Sequence, residues 1–285
     1  MYDILELPAI QSFVRLCSDG WAQGWHERNG GNLSYRMTED EVSKCRPAFR
    51  YHRPWTAMNV CDRHLAGSHF LVTGSGKYMR NIALDIPSNI GILEINASGD
   101  AWRIVWGLLN GAKPTSEFDS HYLCHVTRCI ATNGLSRVLY HAHPAHIVAL
   151  TYILPLTDAA FSRVLWKSET ECPMVFPEGI GVVPCMVPGG AEIAVATRAA
   201  MERYAAVVWA QHGLFSSGAD FDAAFGLMHI IEKAAEIYLL ARSVAPDGKF
   251  KNTISDEIVR NIARCYGKEI NESLLCQCGA EYREG

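Results

Sequence analysis

The sequence predicts a single α/β domain, spanning residues 1–285, with a mixed or antiparallel β-sheet. Short apolar segments typical of strands alternate with amphipathic segments typical of helices, but not in the regular order that produces a parallel sheet. Neither a repeat nor a low-complexity linker divides the chain. Hydrophobic residues make up 49% and charged residues 20% of the sequence, so the chain can bury a substantial core.

Hydrophobic periodicity places the elements along the chain. Helical spacing of apolar residues predicts helices over residues 8–27, 114–132, 144–152, 191–204, 222–243 and 254–266. Short apolar or alternating runs predict strands at residues 33–36, 69–73, 89–95, 102–107, 137–143, 173–176, 180–183 and 207–210. The first helix is followed by a cluster of Asn and Gly at residues 29–32, which favours a turn. Residues 37–66 are polar with scattered Pro and Gly, and they predict an irregular excursion.

Charge and composition exclude several classes of function. The formal net charge is −4 and no Lys/Arg-rich run occurs, which argues against a nucleic-acid-binding protein. The N-terminal residues are acidic where a signal peptide is basic, and no apolar segment follows them. The longest uncharged stretch, residues 138–157, has about the length of a membrane span. It contains three histidines and two prolines, so it predicts a buried enzyme core and no membrane association.

The ten cysteines are scattered along the chain without regular spacing. In the absence of a signal peptide they predict free thiols in a reducing cytoplasm. Cys276 and Cys278 form the one close pair. This pair lacks the second half of a zinc-binding motif, which argues against a metal site in the C-terminal tail.

Three histidines carry the sharpest functional signal. His141 and His143 lie two residues apart in a predicted strand, a separation of about 6.6–6.8 Å along the chain, so both imidazoles point to one face. His212 follows another predicted strand, and Gly213 lets the backbone turn sharply beside it. Three imidazoles on Zn²⁺ leave one coordination position open, which is typical of a catalytic zinc site. The alternative interpretation is a buried, hydrogen-bonded histidine pair without metal.

Three small polar loops predict a phosphate site. They comprise residues 29–32, 74–77 and 115–116, and each can present backbone N–H groups of a glycine turn or a helix N-terminus to an anion. The second loop is not a Walker A motif, because Tyr78 follows Lys77 where Ser or Thr is required. The alternative for each loop is an ordinary turn or helix cap.

Glu117 directly follows the third polar loop, in the first turn of a predicted helix. An acid is favoured there by the helix dipole or as a capping residue. The functional interpretation is a carboxylate that lies beside both phosphate and metal and transfers a proton.

The motifs occur in a characteristic order along the chain. NGGN at residues 29–32, TGSGK at 73–77, PTSE at 114–117, HAHP at 141–144 and QHG at 211–213 follow one another. In this order they resemble the class II, zinc-dependent aldolase/epimerase family. The resemblance extends from about residue 20 to residue 245. The differences lie mainly in residues 37–66 and in the C-terminal tail, where they put little of the chemistry in doubt.

The resemblance implies a mixed, largely antiparallel sheet sandwiched between helical layers, in a homotetramer with active sites at subunit interfaces. One Zn²⁺ per subunit would be bound by His141, His143 and His212. The phosphate of the substrate would lie among Asn29, Gly31, Asn32, Ser75, Gly76, Thr115 and Ser116. The proton-transferring group would be Glu117, and a neighbouring subunit would contribute Glu171 at the aldehyde end.

The implied reaction is the reversible cleavage of the C3–C4 bond of a ketose 1-phosphate, which gives dihydroxyacetone phosphate and an aldehyde. Cleavage leaves negative charge at C3 as an enediolate, and the histidines favour its stabilisation by zinc over a lysine Schiff base. Two alternatives stay open. One is another sugar-phosphate aldolase, or a pentulose-phosphate 4-epimerase, on the same scaffold. The other is a non-catalytic binding module, against which the three histidines and Glu117 argue.

Overall fold

A single nine-stranded β-sheet forms the centre of the structure, a computed structural model that describes residues 3–275. The strands are β1 Asn32–Arg36, β2 Thr56–Ala57, β3 His69–Thr73, β4 Ile90–Ile95, β5 Ala101–Gly107, β6 Val138–Ala142, β7 Gly181–Val183, β8 Ala206–Trp209 and β9 Gly213–Gly218. Their spatial order is β2-β5-β4-β3-β1-β6-β9-β8-β7. Every neighbouring pair is antiparallel except β7 and β8. The predicted mixed, mostly antiparallel sheet is therefore confirmed.

Helices cover both faces of this sheet. They are α1 Pro8–Ala22, α2 Glu39–Cys45, α3 Ile86–Asn89, α4 Phe118–Ala131, α5 Ala145–Leu150, α6 Asp158–Trp166, α7 Cys172–Val175, α8 Ala191–Met201, α9 Phe221–Val244, α10 Asp256–Cys265 and α11 Glu272–Leu275. Helices α1, α5, α6 and α9 share an apolar cluster with one face, and α4 and α8 pack on the other. Strand β6 shows the two-residue alternation, because Val138 and Tyr140 belong to the first cluster and Leu139 to the opposite side.

The uncharged stretch at residues 138–157 forms strand β6, helix α5 and the turn that follows. All five residues of β6 are buried in the centre of the sheet. Within residues 3–275, none of the helices has the length and apolar character needed to span a membrane.

The strand predicted at residues 173–176 is wrong. Helix α7 forms there instead, because the backbone N–H groups of Met174 and Val175 both donate to the carbonyl of Glu171. Pro173 fits this arrangement, since a proline in the first helical turn has no N–H that the helix requires.

The irregular excursion predicted for residues 37–66 contains a helix, α2. Thr38 and Glu41 form a capping box, in which each side chain accepts a hydrogen bond from the backbone N–H of the other residue. Helix α6 and strand β9 were also absent from the predicted elements. The predicted first helix ends earlier than residue 27, at Ala22, because the chain turns at Gly24 with φ of 79°.

The strand register brings the predicted motifs to one edge of the sheet. Asn32 at the start of β1 lies opposite His141 on β6, and Ala142 lies opposite Leu214 on β9. Beyond the end of β3, Gly74 forms an isolated bridge with Pro114. The ends of β1, β3, β6 and β9 therefore converge, although they are far apart in the chain.

Candidate active site

The three histidines predicted as metal ligands meet at this edge of the sheet. One nitrogen of each of His141, His143 and His212 lies within 4.8 Å of the others. Two come from β6 and the residue after it, and the third comes from the turn between β8 and β9. This is the convergence that a metal ion requires.

The turn that holds His212 differs in detail from the prediction. The left-handed residue is Gln211, with φ of 57°, and not Gly213. Gly213 is required for a different reason, because a Cβ atom there would lie 2.4 Å from the carbonyl oxygen of Ala142. A side chain at this position would push β9 away from β6 and separate the histidines.

Hydrogen bonds fix which nitrogen of two histidines can bind metal. Nδ1 of His141 lies 3.1 Å from the carbonyl oxygen of Leu214, and Nδ1 of His143 lies 2.6 Å from the carboxylate of Glu27. Both partners only accept, so Nδ1 carries the hydrogen in each ring. The Nε2 atoms of both rings are buried and have no hydrogen-bond partner, and the same is true of Nδ1 of His212. Unpaired buried nitrogen lone pairs that face one another fit a bound metal ion.

Burial keeps two of these histidines, His141 and His212, neutral. Desolvation, followed by the nearby His143, holds the pKa of His141 well below its usual range. The same two causes lower the pKa of His212 to about 4. Neutral imidazole is the form that binds metal, so the protein holds these ligands ready at neutral pH.

One pocket of about 200 Å³ contains the histidines together with the three polar loops. Its lining comprises Asn29, Gly30, Gly31, Asn32, Gly74, Ser75, Gly76, Thr115, Ser116, Glu117, His141, His143 and His212. Every residue predicted for phosphate binding is in this set, and the set has no lysine or arginine. An anion in this part of the pocket would be held by hydroxyl, amide and backbone N–H donors.

The polar loops are held against one another by backbone hydrogen bonds. Ser75 donates to the carbonyl of Lys113 at 2.8 Å, and Thr115 donates to that of Thr73 at 2.9 Å. Gly31 has φ of 75°, and a Cβ atom there would lie 2.5 Å from Nδ1 of His26. Only glycine allows the first loop to approach His26 this closely.

Glu117 lies at the N-terminus of α4, one residue before the helix begins, and its side chain does not cap the helix. The capping interpretation is therefore wrong. The carboxylate instead accepts a hydrogen bond of 2.6 Å from the side-chain amide of Asn32. Burial raises the pKa of Glu117, although the Asn32 bond and the neighbouring His143 oppose the rise.

Glu171 does not line this pocket. It is exposed at the start of α7, where its carboxylate accepts a hydrogen bond from Thr170 at 3.1 Å. The structure thus brings together all of the predicted site residues of one chain except the one expected from a neighbouring subunit.

Sequence reasoning missed Glu27, which supports His143 across 116 positions. Its pKa is lowered on balance: burial, the largest single effect, would raise it, but the hydrogen bond with His143, a backbone hydrogen bond and the nearby His143 and His26 together outweigh that effect. The only signal in the sequence is its place two residues before the NGGN loop. The pair Cys276 and Cys278 lies outside the described residues, and the eight described cysteines are free thiols.

Comparison with known proteins agrees with this site. Residues 11–239 match the family described as Class II Aldolase and Adducin N-terminal domain. The chain therefore belongs to the class II aldolase family, as its motifs predict. Residues 24–33, 72–77, 106–108, 132–134, 149–152, 170–172 and 187–189 resemble segments of one member of that family, rhamnulose-1-phosphate aldolase.

Two relatives carry the name of that same enzyme. Rhamnulose-1-phosphate aldolase of Pectobacterium atrosepticum is 41% identical over 275 residues, which cover 96% of this chain and 99% of the relative. The enzyme of Escherichia coli (strain K12 / DH10B) is 39% identical over 267 residues, 94% of this chain and 96% of the relative.

Solved structures share the fold. A sugar-phosphate aldolase from Thermotoga maritima is 28% identical, with a TM-score of 0.71 over 84% of this chain and 96% of its own. The L-fuculose-1-phosphate aldolase from Thermus thermophilus is 22% identical, with a TM-score of 0.55 over 83% of this chain and 96% of its own. The second likeness concerns the fold alone.

Proposed function

We propose that this protein is a lyase that reversibly cleaves L-rhamnulose 1-phosphate to dihydroxyacetone phosphate and L-lactaldehyde. The observation that carries the proposal is a single pocket that unites three histidines, a buried carboxylate and three polar loops. The choice of substrate is supported by the relatives named rhamnulose-1-phosphate aldolase, which match nearly the whole chain.

The metal in this proposal is Zn²⁺, one per subunit, held by His141, His143 and His212. The donor set supports it, since three neutral imidazoles with one open position are typical of catalytic zinc. Zinc bound there would act as a Lewis acid on the negative charge that develops when the C3–C4 bond breaks.

The polar loops would hold the phosphate. Asn29, Gly31 and Asn32 come from the first loop, and the others supply Ser75, Gly76, Thr115 and Ser116. These groups would fix the half of the substrate that becomes dihydroxyacetone phosphate. Such positioning would bring C3 next to Glu117 and lower the entropic part of the barrier.

Glu117 would transfer the proton at C3. In cleavage, C4–OH becomes the aldehyde carbonyl and its proton leaves to solvent, while the electron pair of the C3–C4 bond remains on C3 and forms the new C3–H bond with a proton from Glu117. Glu117 then regains a proton from solvent, so the reaction has no net proton change. In synthesis, Glu117 removes that proton. Burial of the carboxylate supports this role, because a raised pKa lets the group hold a proton closer to neutral pH.

The aldehyde end of the site would be completed by Glu171 of a neighbouring subunit in a homotetramer. The exposed position of Glu171, outside the pocket of its own chain, supports a role in another subunit's site. Exposed apolar side chains at Tyr152 and Ile153, just after α5, are available for subunit contact. The free thiols support a reducing cytoplasm as the place of action.

The test is a coupled assay for dihydroxyacetone phosphate released from L-rhamnulose 1-phosphate, with and without a chelator. We expect release that the chelator abolishes and added Zn²⁺ restores. Release that the chelator leaves unchanged would contradict the zinc mechanism. Absence of release from zinc-loaded protein would contradict the substrate, and L-fuculose 1-phosphate and L-ribulose 5-phosphate would be assayed next.

A further inference from the structure

A chain of hydrogen-bonded side chains lies behind Glu117. Asn32 donates to Oε2 of Glu117 at 2.6 Å, and Oδ1 of Asn32 bonds to Nε2 of His121. Nδ1 of His121 lies 2.6 Å from the hydroxyl of Ser34, which lies 2.8 Å from Nε2 of His125. Asn32 and Ser34 lie on β1, His121 and His125 lie on α4, and Glu117 directly precedes α4.

The inner part of this chain is sealed from the pocket. His121, Ser34 and His125 are at most 1% exposed, and none of them lines the pocket. Aromatic rings enclose the two histidines, with Phe215 5.3 Å from His121 and Phe70 5.0 Å from His125 between ring centroids. Burying a polar side chain costs free energy unless it is hydrogen-bonded. Each of these three side chains therefore depends on its hydrogen-bond partners in the chain.

The chemistry of the groups gives the chain one direction. A carboxylate only accepts, so Nδ2 of Asn32 donates to Glu117 and Oδ1 must accept from Nε2–H of His121. Nδ1 of His121 then has only a lone pair and accepts the Ser34 hydroxyl. Because Ser34 donates its single hydroxyl hydrogen to His121, its oxygen accepts a hydrogen bond from Nε2–H of His125.

The opposite direction is disfavoured at the far end. A proton on Oε2 of Glu117 would reverse the Asn32 amide and exchange the tautomers of both histidines. Nδ1 of His125 would then carry a hydrogen, yet that atom is buried and has no partner. A buried N–H without an acceptor costs more than an unpaired lone pair, so the whole chain resists reversal.

We infer that His121, Ser34 and His125 are positioning residues that lock the amide of Asn32, so that Oε2 of Glu117 is a permanent acceptor and Oε1 is the oxygen that exchanges the proton with substrate. The inference rests on the proposed function of Glu117. In cleavage, the Oε1–H bond breaks as the C3–H bond forms with the electron pair left on C3. Synthesis reverses this step, and Oε2 keeps its bond to Asn32 throughout.

Kinetics of His121→Phe and His121→Gln test the positioning role. Phe keeps the ring volume but cannot donate to Asn32, and we expect kcat to fall at least about tenfold with a smaller change in KM. The Gln amide can replace Nε2–H as donor and should recover most of kcat. Zinc content should match the unsubstituted protein in both variants. Equal losses in both, or a loss confined to KM, would overturn the inference.

Matched serines separate positioning from packing. Ser34 and Ser216 are both fully buried on central strands, but Ser216 donates to the carbonyl of Ala224, away from the site. We expect Ser34→Ala to lower kcat and Ser216→Ala to leave it within about twofold of normal, since a substitution remote from the site acts on stability alone. An equal effect of the two substitutions would count against the inference.

Two further readouts keep this inference separate from the choice of substrate. Exchange of the C3 hydrogen of dihydroxyacetone phosphate in D₂O follows the Glu117 proton step without any sugar or aldehyde. We expect exchange to fall in His121→Phe in parallel with kcat, even if the preferred sugar is another one. Nitrogen-15 solid-state NMR of histidine-labelled protein, assigned with His121→Gln, should show hydrogen on Nε2 of His121. Hydrogen on Nδ1 would overturn the inference whatever the enzyme cleaves.

Discussion

The side chains that line this pocket are oriented by hydrogen bonds to other groups of the protein. His143 is oriented by Glu27, and His141 by a backbone carbonyl of β9. Glu117 is oriented by Asn32. In each case one polar atom is committed within the protein, so the other atom is left for the ligand.

Loss of the Glu27 carboxylate should weaken metal binding. Glu27→Ala removes the acceptor for Nδ1–H of His143, and zinc affinity should fall about 10–100-fold. Glu27→Gln keeps an oxygen acceptor and should lose less. Zinc titration against a competing chelator measures both variants. Unchanged affinity in Glu27→Ala would show that His143 needs no partner.

Loss of the Glu117 carboxylate should spare the metal and remove turnover. We expect Glu117→Ala to retain zinc and to lose a factor of about 10² or more in kcat, because among residues 3–275 of the same chain no other carboxylate lines the pocket. Glu117→Gln keeps an acceptor for Asn32 but cannot transfer a proton, so it should be equally impaired. Near-normal turnover in either variant would remove Glu117 from the proposed mechanism.

Helix α5 connects the end of β6, which carries His141 and is followed by His143, to the turn that carries His212. It begins just after His143, and Thr151 at its end accepts a hydrogen bond of 3.1 Å from the backbone of Gln211, next to His212. Its N-terminus is capped from α9, because the buried carboxylate of Glu232 accepts from the backbone N–H groups of His146 and Ile147. A carboxylate is favoured there by the helix dipole as well.

Removal of this cap should destabilise the fold. Glu232→Ala leaves two N–H groups of α5 without an acceptor, and the free energy of unfolding should fall by about 1–3 kcal/mol. Glu236→Ala, one turn further along α9, removes an exposed ion pair with Lys233 and serves as the control. Urea unfolding compares the two variants. Equal unfolding midpoints would contradict the capping role.

In the proposed homotetramer, groups from different chains would combine in one active site. If Glu117 and Glu171 of neighbouring subunits share one site, then mixed tetramers of Glu117→Ala and Glu171→Ala subunits contain some sites with both carboxylates intact. We therefore expect activity to reappear when the two inactive variants are mixed and reassembled. Each variant reassembled alone is the control. Mixtures no more active than the controls would place Glu171 outside the neighbouring site.

Acid should weaken the whole fold through its buried histidines. Desolvation lowers the pKa of His121 from its ordinary 6.5 to about 3, and burial holds that of His125 well below its usual range. Between pH 6.5 and the lower pKa values of the folded state, these histidines bind protons in the unfolded chain but not in the folded chain. Their contribution to the free energy of unfolding is therefore complete above about pH 6.5 and is lost as pH falls. The urea midpoint should be lower at pH 5 than at pH 7.5. His121→Gln should show a smaller difference, and an unchanged difference would contradict this assignment.

Much of the site could be predicted from local patterns. His141 and His143 share a face because side chains two apart on a strand point the same way. The glycine loops and the helix start at residues 114–117 are likewise local features, and their order along the chain identifies the family.

The remaining features depend on contacts between distant residues. Sheet order places Asn32 opposite His141, and packing of α4 on the sheet places His121 against Asn32 across 89 positions. Burial then raises the pKa of Glu117, and hydrogen-bond partners set the tautomers of the histidines. Composition and periodicity constrain only neighbours along the chain, whereas desolvation and hydrogen-bond partners depend on which surfaces meet. For that reason the sequence alone predicts the motifs, whereas only the tertiary structure identifies the groups that orient them.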